Sequence, residues 1–108
     1  MESFFYLKNS ITIDTIALMA TTEKLLKQMR ESPKNVRFVD LSKLCRNYFG
    51  EPRQSGTSHQ VFKTPWVGDP RVNIQRGDSG KAKHYQVQQV LEAIDRLIAE
   101  TAKQERKR

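Results

Sequence analysis

Two of the 108 residues are histidines, and one of them, His59, stands where a proton could be moved. It follows Gly56-Thr57-Ser58, a turn-forming run that leaves backbone N–H groups available to an anion. Residues 58–64 alternate, so the His59 side chain shares a strand face with Val61 and Lys63. Imidazole titrates near neutrality and can take or give a proton at cellular pH. The alternative is a strand histidine that only hydrogen-bonds locally. His84, beside Tyr85, opens the last helix and reads as a surface or cap residue. Two histidines so far apart in sequence do not by themselves make a metal site.

Cations gather around the same segment. Lys63, Arg71, Arg76, Lys81 and Lys83 are interleaved with Trp66, Asn73 and Gln75. That mixture suits phosphate contacts with some reading of bases or sugars, as in RNA binding. The competing reading is a solvated sheet edge, where lysines discourage strand pairing. Gly77-Asp78-Ser79-Gly80-Lys81-Ala82 is not a phosphate-binding P-loop: Gln75 stands where its first glycine belongs, and Ala82 follows the lysine. Ser58 lies in no nucleophile elbow. Cys45 falls on an apolar helical face and reads as core.

The whole chain is basic, with 19 Lys and Arg against 12 Asp and Glu and a formal charge of +7. This favours polyanionic partners such as nucleic acid, an acidic membrane surface or an acidic protein. One cysteine allows no internal disulfide, and a reducing cytoplasmic setting fits it. There is no apolar run of membrane-spanning length. No signal peptide is expected, since Asp14 interrupts the apolar stretch near the start.

The elements that would hold these residues follow from periodicity. Residues 22–31 read as a helix with Leu25, Leu26 and Met29 on one side, closed by Ser32-Pro33. A second helix, with Asp40 as its expected N-cap, carries Leu41, Leu44, Cys45, Tyr48 and Phe49 on one face and stops at Gly50. Arg53-Gln54-Ser55 reads as a short edge strand. Residues 58–64 and 71–76 read as a hairpin around a Pro- and Gly-containing loop. A flexible connection over 77–81 then leads to a long helix from about Lys83, with Val87, Val90, Leu91, Ile94, Leu97 and Ile98 as its stripe.

The expected fold is α+β: a small three-stranded antiparallel sheet with helices packed on one face, similar in outline to double-stranded-RNA-binding domains. Residues 21–102 form the single expected domain, and 103–108 a frayed basic tail. Residues 1–20 read as an N-terminal extension that need not be native. Met19-Ala20-Thr21-Thr22-Glu23 has the form of an ordinary start, so translation is expected to begin at Met19. The intact mass of the natural product tests this, and a full-length mass contradicts it.

From about Leu41 to Leu97 the chain resembles HicA-type toxins of bacterial type II toxin–antitoxin modules. In that family a helix ends in Gly, a short strand follows, and then come G-S-H-x-x-F and a proline-bearing turn. A second alternating strand and a final helix opened by a basic residue complete the pattern. Ser58-His59-Gln60-Val61-Phe62 matches the S-H-x-x-F core, Arg71-Val72-Asn73-Ile74-Gln75 the later strand, and Lys81 or Lys83 the basic residue. Thr57 separates Gly56 from Ser58, and Lys83-His84-Tyr85 lacks the family's proline-glycine pair. Residues 1–40 have no counterpart in compact members.

The resemblance implies a metal-independent, cofactor-free endoribonuclease that cuts messenger RNA and is restrained by a HicB-type antitoxin. His59 would be catalytic, and Lys63, Lys81 or Lys83 would stabilise charge on the phosphorane. Two other readings use the same residues. One is a non-catalytic RNA-binding module, and the other a partner-interaction protein whose basic face docks an acidic protein.

Overall fold

A computed structural model describes residues 13–56, 58–68 and 71–107, with side chains from residue 20 onward except those of 54 and 55. The expectations for residues 1–12, Thr57, Asp69, Pro70 and Arg108 lie outside these described residues. The fold is α+β, as the change of period along the chain implies. Helices α1 (Ile13–Glu31) and α2 (Phe38–Phe49) come first. The two-residue β1 (Gln54–Ser55), then β2 (His59–Lys63) and β3 (Arg71–Gln75), form an antiparallel sheet in the order β1-β2-β3. A 3₁₀ turn (Asp78–Gly80) leads into α3 (His84–Arg106).

The core is where the apolar stripes meet. Leu41, Leu44 and Cys45 of α2, Phe62, Val72 and Ile74 of the hairpin, and Val87, Val90 and Ile94 of α3 form one buried cluster. Met29 of α1 joins it, with Leu25 and Leu26 packed against its margin. The core residues of β2 and β3 all belong to one face of the ladder, so the helices cover that face. Gly50 ends α2 with φ 84°, a conformation that other residues adopt only at a cost, and its N–H donates to the Arg46 carbonyl.

Several boundaries differ from expectation. Helix α1 passes through Thr21 and Thr22 instead of starting there, and it crosses the expected boundary at residue 20. No Gly or Pro lies between Ile13 and Glu31. The two threonines each disfavour helix by only about 0.7 kcal/mol or less, too little to stop it. Asp40 is not the cap of α2 but a first-turn residue after Arg37, where its charge still complements the helix dipole. Ile98 is 47% exposed instead of core. The expected tail is helical as far as Arg106. The 77–81 connection is an ordered turn with Ser79 and Gly80 at φ 59° and 73°.

An ion pair ties α1 to α3: both Arg30 guanidinium nitrogens donate to the Asp95 carboxylate, the shorter contact being 2.6 Å. That hydrogen bond is the main reason Asp95 is held below the usual carboxylate range. Both side chains are substantially exposed, so the pair contributes about 1 kcal/mol at most.

Cys45 is fully buried, and burial pushes its thiol up to about 12. At neutral pH it is a neutral thiol with no access to reagent. Alkylation with iodoacetamide is expected to leave Cys45 unmodified in the native protein and to modify it promptly in denaturant. Rapid native labelling, detected by mass, would contradict this packing.

Candidate functional site: the open face of the sheet

Alternation along β2 turns Gln60 and Phe62 toward the helices and His59, Val61 and Lys63 the other way. The register pairs His59 with Gln75, Val61 with Asn73, and Lys63 with Arg71. These six residues therefore share the face turned away from the buried cluster; His59, Lys63, Arg71 and Asn73 are exposed on it, while Val61 at its centre is buried. The Arg76 N–H donates to the Ser58 carbonyl at 2.8 Å, in the ladder step before His59–Gln75. The hydrogen-bonding alternation makes His59–Gln75 a non-hydrogen-bonded pair, with Cα atoms only about 4.5 Å apart and side chains at their closest.

Gln75 links this pair to α3. Its N–H, which faces away from β2, donates to Gln86 Oε1 at 2.7 Å. Its Oε1 accepts a hydrogen bond from Lys83 Nζ at 3.0 Å. Gln86 is 6% exposed and sits beside Val87 on the buried side of α3. A buried amide there satisfies an edge N–H that would otherwise go unpaired. The result is a row across the sheet, His59–Gln75–Lys83, with an imidazole at one end and an ammonium at the other.

The ladder continues past β3. Arg76 bridges to Ala82, and Lys81 bridges to Arg37. The Gly77 N–H donates to the Lys81 carbonyl at 2.6 Å, and the Ala82 N–H to the Val36 carbonyl at 2.8 Å. Val36, Phe38 and Ala82 are buried in the core. Alternation then turns Arg37 and Lys81 outward, and both are exposed.

The predicted site residues thus divide. His59 is exposed, and Lys83 is brought onto its row. Lys81 lies one step further along the same face. Lys63 and Arg71 also face outward but stand four residues along the strands from His59, roughly 13 Å away. Lys63 thus stands at the opposite end of the face from His59. Arg76 is not part of the face. It stands two residues beyond Ile74, on the same face as Val72 and Ile74, and its exposed guanidinium lies 5.4 Å from the centroid of the Phe38 ring on the helix side. Trp66, expected to offer a surface to a base, is half-buried with the Arg96 guanidinium 4.2 Å over its ring. His84 is the exposed first residue of α3.

A buried polar chain holds β2 in place beneath His59. Ser42 Oγ of α2 donates to Gln60 Oε1 at 2.6 Å and accepts from Arg46 at 2.8 Å. Arg46 Nε in turn donates to Glu51 at 3.1 Å. Sequence reasoning missed Ser42, Gln60, Gln86 and Arg37. The visible signal for the first three was a polar residue placed within an apolar stripe, where a partner must exist.

Among the described residues no group of three or more His, Cys, Asp or Glu side chains is placed to hold a metal ion. No described helix is long and apolar enough to cross a membrane. Comparison with protein-family models, curated proteins and solved structures finds no match.

Proposed function

We propose that the chain is a toxin-type endoribonuclease that cuts messenger RNA by acid/base catalysis at His59, with the fold and activity of the HicA-type proteins its sequence resembles. The observation that carries this reading is the His59–Gln75–Lys83 row on the basic outer face of the sheet, with the His59 side chain exposed. Lys63 and Arg71 add positive charge at the far end of that face. Within this proposal the three-stranded sheet with helices on one side is a reduced double-stranded-RNA-binding-domain arrangement.

The chemistry follows from the groups present. The RNA 2′-hydroxyl attacks the adjacent phosphorus, and the bond from phosphorus to the 5′ oxygen breaks. The products are a 2′,3′-cyclic phosphate and a 5′-hydroxyl. His59 takes the proton of the attacking hydroxyl or supplies the proton of the leaving oxygen. The Lys83 ammonium, held by Gln75, stabilises the negative charge that builds on the non-bridging oxygens. Substrate without a 2′-hydroxyl cannot react in this way, which restricts cleavage to RNA. In this reading the protein acts in the cytoplasm and an acidic HicB-type antitoxin covers the same face.

Expression of the wild-type chain is expected to arrest growth, and His59→Ala is expected to relieve the arrest. An equally toxic His59→Ala variant, made at the same level, would remove His59 from the mechanism.

A further inference from the structure

Residues 81–82 and 36–37 add two short stretches to the open edge of β3, and they carry Lys81 and Arg37 onto the His59 face. Between them and β3 the ladder places Gly77, directly opposite Lys81. A Cβ at Gly77 would stand 3.1 Å from the Lys81 carbonyl oxygen and 3.7 Å from Lys83 Cγ. Glycine therefore leaves a bare floor where any side chain would crowd the backbone. Lys81, Lys83 and Arg37 rim this floor, and the His59–Gln75 pair borders it on the next row. The described ion pairs, Arg30–Asp95 and Arg46–Glu51, use none of these three cations.

We infer that Arg37, Lys81 and Lys83 form a phosphate-binding subsite around Gly77, and that the RNA strand crosses the β-strands from His59 toward Arg37 instead of running along β2. The inference rests on the reading of this face as an RNA site. Its distinctive element is Arg37, contributed by the α1–α2 connection, far from His59 in sequence. Adjacent strands lie about 4.8 Å apart, so the path from the His59 strand to the Arg37 strand spans roughly 14 Å, enough for more than one backbone phosphate. Guanidinium at the far end favours a bidentate phosphate contact. Along β2, by contrast, Val61 occupies the centre of the face at 4% exposure and offers no charge.

The test measures binding of a short single-stranded RNA to the His59→Ala protein, which is expected to cut it at least about 10²-fold more slowly than the wild type, over a range of salt concentrations. Arg37→Gln is expected to weaken binding several-fold at low salt and to lower the slope of log affinity against log salt by about 0.7, as Lys81→Gln does. Lys27→Gln, on the exposed side of α1, serves as the control and is expected to leave the slope unchanged. Thermal melting of Arg37→Gln should match the parent, because only the Arg37 backbone caps α2. An unchanged slope in Arg37→Gln, with a reduced slope in Lys63→Gln, would place the strand along β2 and overturn this subsite alone. No binding of RNA by the parent protein would overturn both the subsite and the RNA reading beneath it.

Discussion

Replacing His59 by alanine is expected to lower RNA cleavage by about 10²- to 10⁴-fold, the range a general acid or base contributes. The same change should barely touch stability. His59 is exposed, its backbone carbonyl keeps the Gly56 N–H at 2.8 Å whatever the side chain, and the core beneath it belongs to Gln60 and Phe62. Exposed substitutions away from special features stay within about 0.5 kcal/mol. Melting curves for the variant and the wild type should therefore coincide while their cleavage rates separate. A fall in melting temperature that tracks the loss of activity would mean that His59 acts through the fold.

Phe62→Ala should do the reverse, and its stability effect is the largest expected for any single residue of the sheet. Phe62 is fully buried, flanked by Val61 and Lys63, in the same cluster as Leu41, Leu44, Ile74 and Val90. Removing a buried phenyl ring costs about 3–5 kcal/mol. A domain of this size holds only about 5–15 kcal/mol in total. A fall in Tm of roughly 15–30 °C is expected by calorimetry or circular dichroism. Every activity of the open face would go with it, because β2 positions His59. A fall below about 5 °C would show that the ring contributes little to this core.

The two residues are separated by a distinction that the sequence already carries. His59 and Phe62 differ by an odd number of positions, so an alternating strand must send them to opposite faces. The stripes of α2 and α3 were equally legible, because Leu41, Leu44 and Cys45, like Val87, Val90 and Ile94, recur at helical spacing and meet in one core. Helix ends were less so. Nothing in Met19-Ala20-Thr21-Thr22-Glu23 forbids helix, so α1 continues through it, and capping residues that fit a helix start also fit its interior.

The site was half legible. Closeness in sequence grouped Arg76 with His59, whereas strand alternation, applied one residue further, sends Arg76 to the helix side over Phe38, where it stays exposed. Lys83 belonged in the group, but the reason is Gln75, whose amide fixes it across the ladder. Arg37 was out of reach. It is partnered by a single bridge to Lys81, 44 positions later, and an isolated bridge leaves no periodic trace in either segment. Gln86 and Gln60 follow the same logic: each is a buried amide that completes hydrogen bonding for another element, and only the tertiary contact reveals its partner.

The central claim is that His59 moves a proton during cleavage of RNA by its own 2′-hydroxyl. The most direct measurement incubates the purified protein, in the presence of a metal chelator, with a labelled RNA and with the same RNA carrying a 2′-deoxy substitution at the cut site. The wild type is expected to cut the first to a 2′,3′-cyclic phosphate and a 5′-hydroxyl and to leave the second intact, while His59→Ala cuts the first at least about 10²-fold more slowly. Equal cutting by His59→Ala, or cutting of the 2′-deoxy substrate at the same bond, would contradict it.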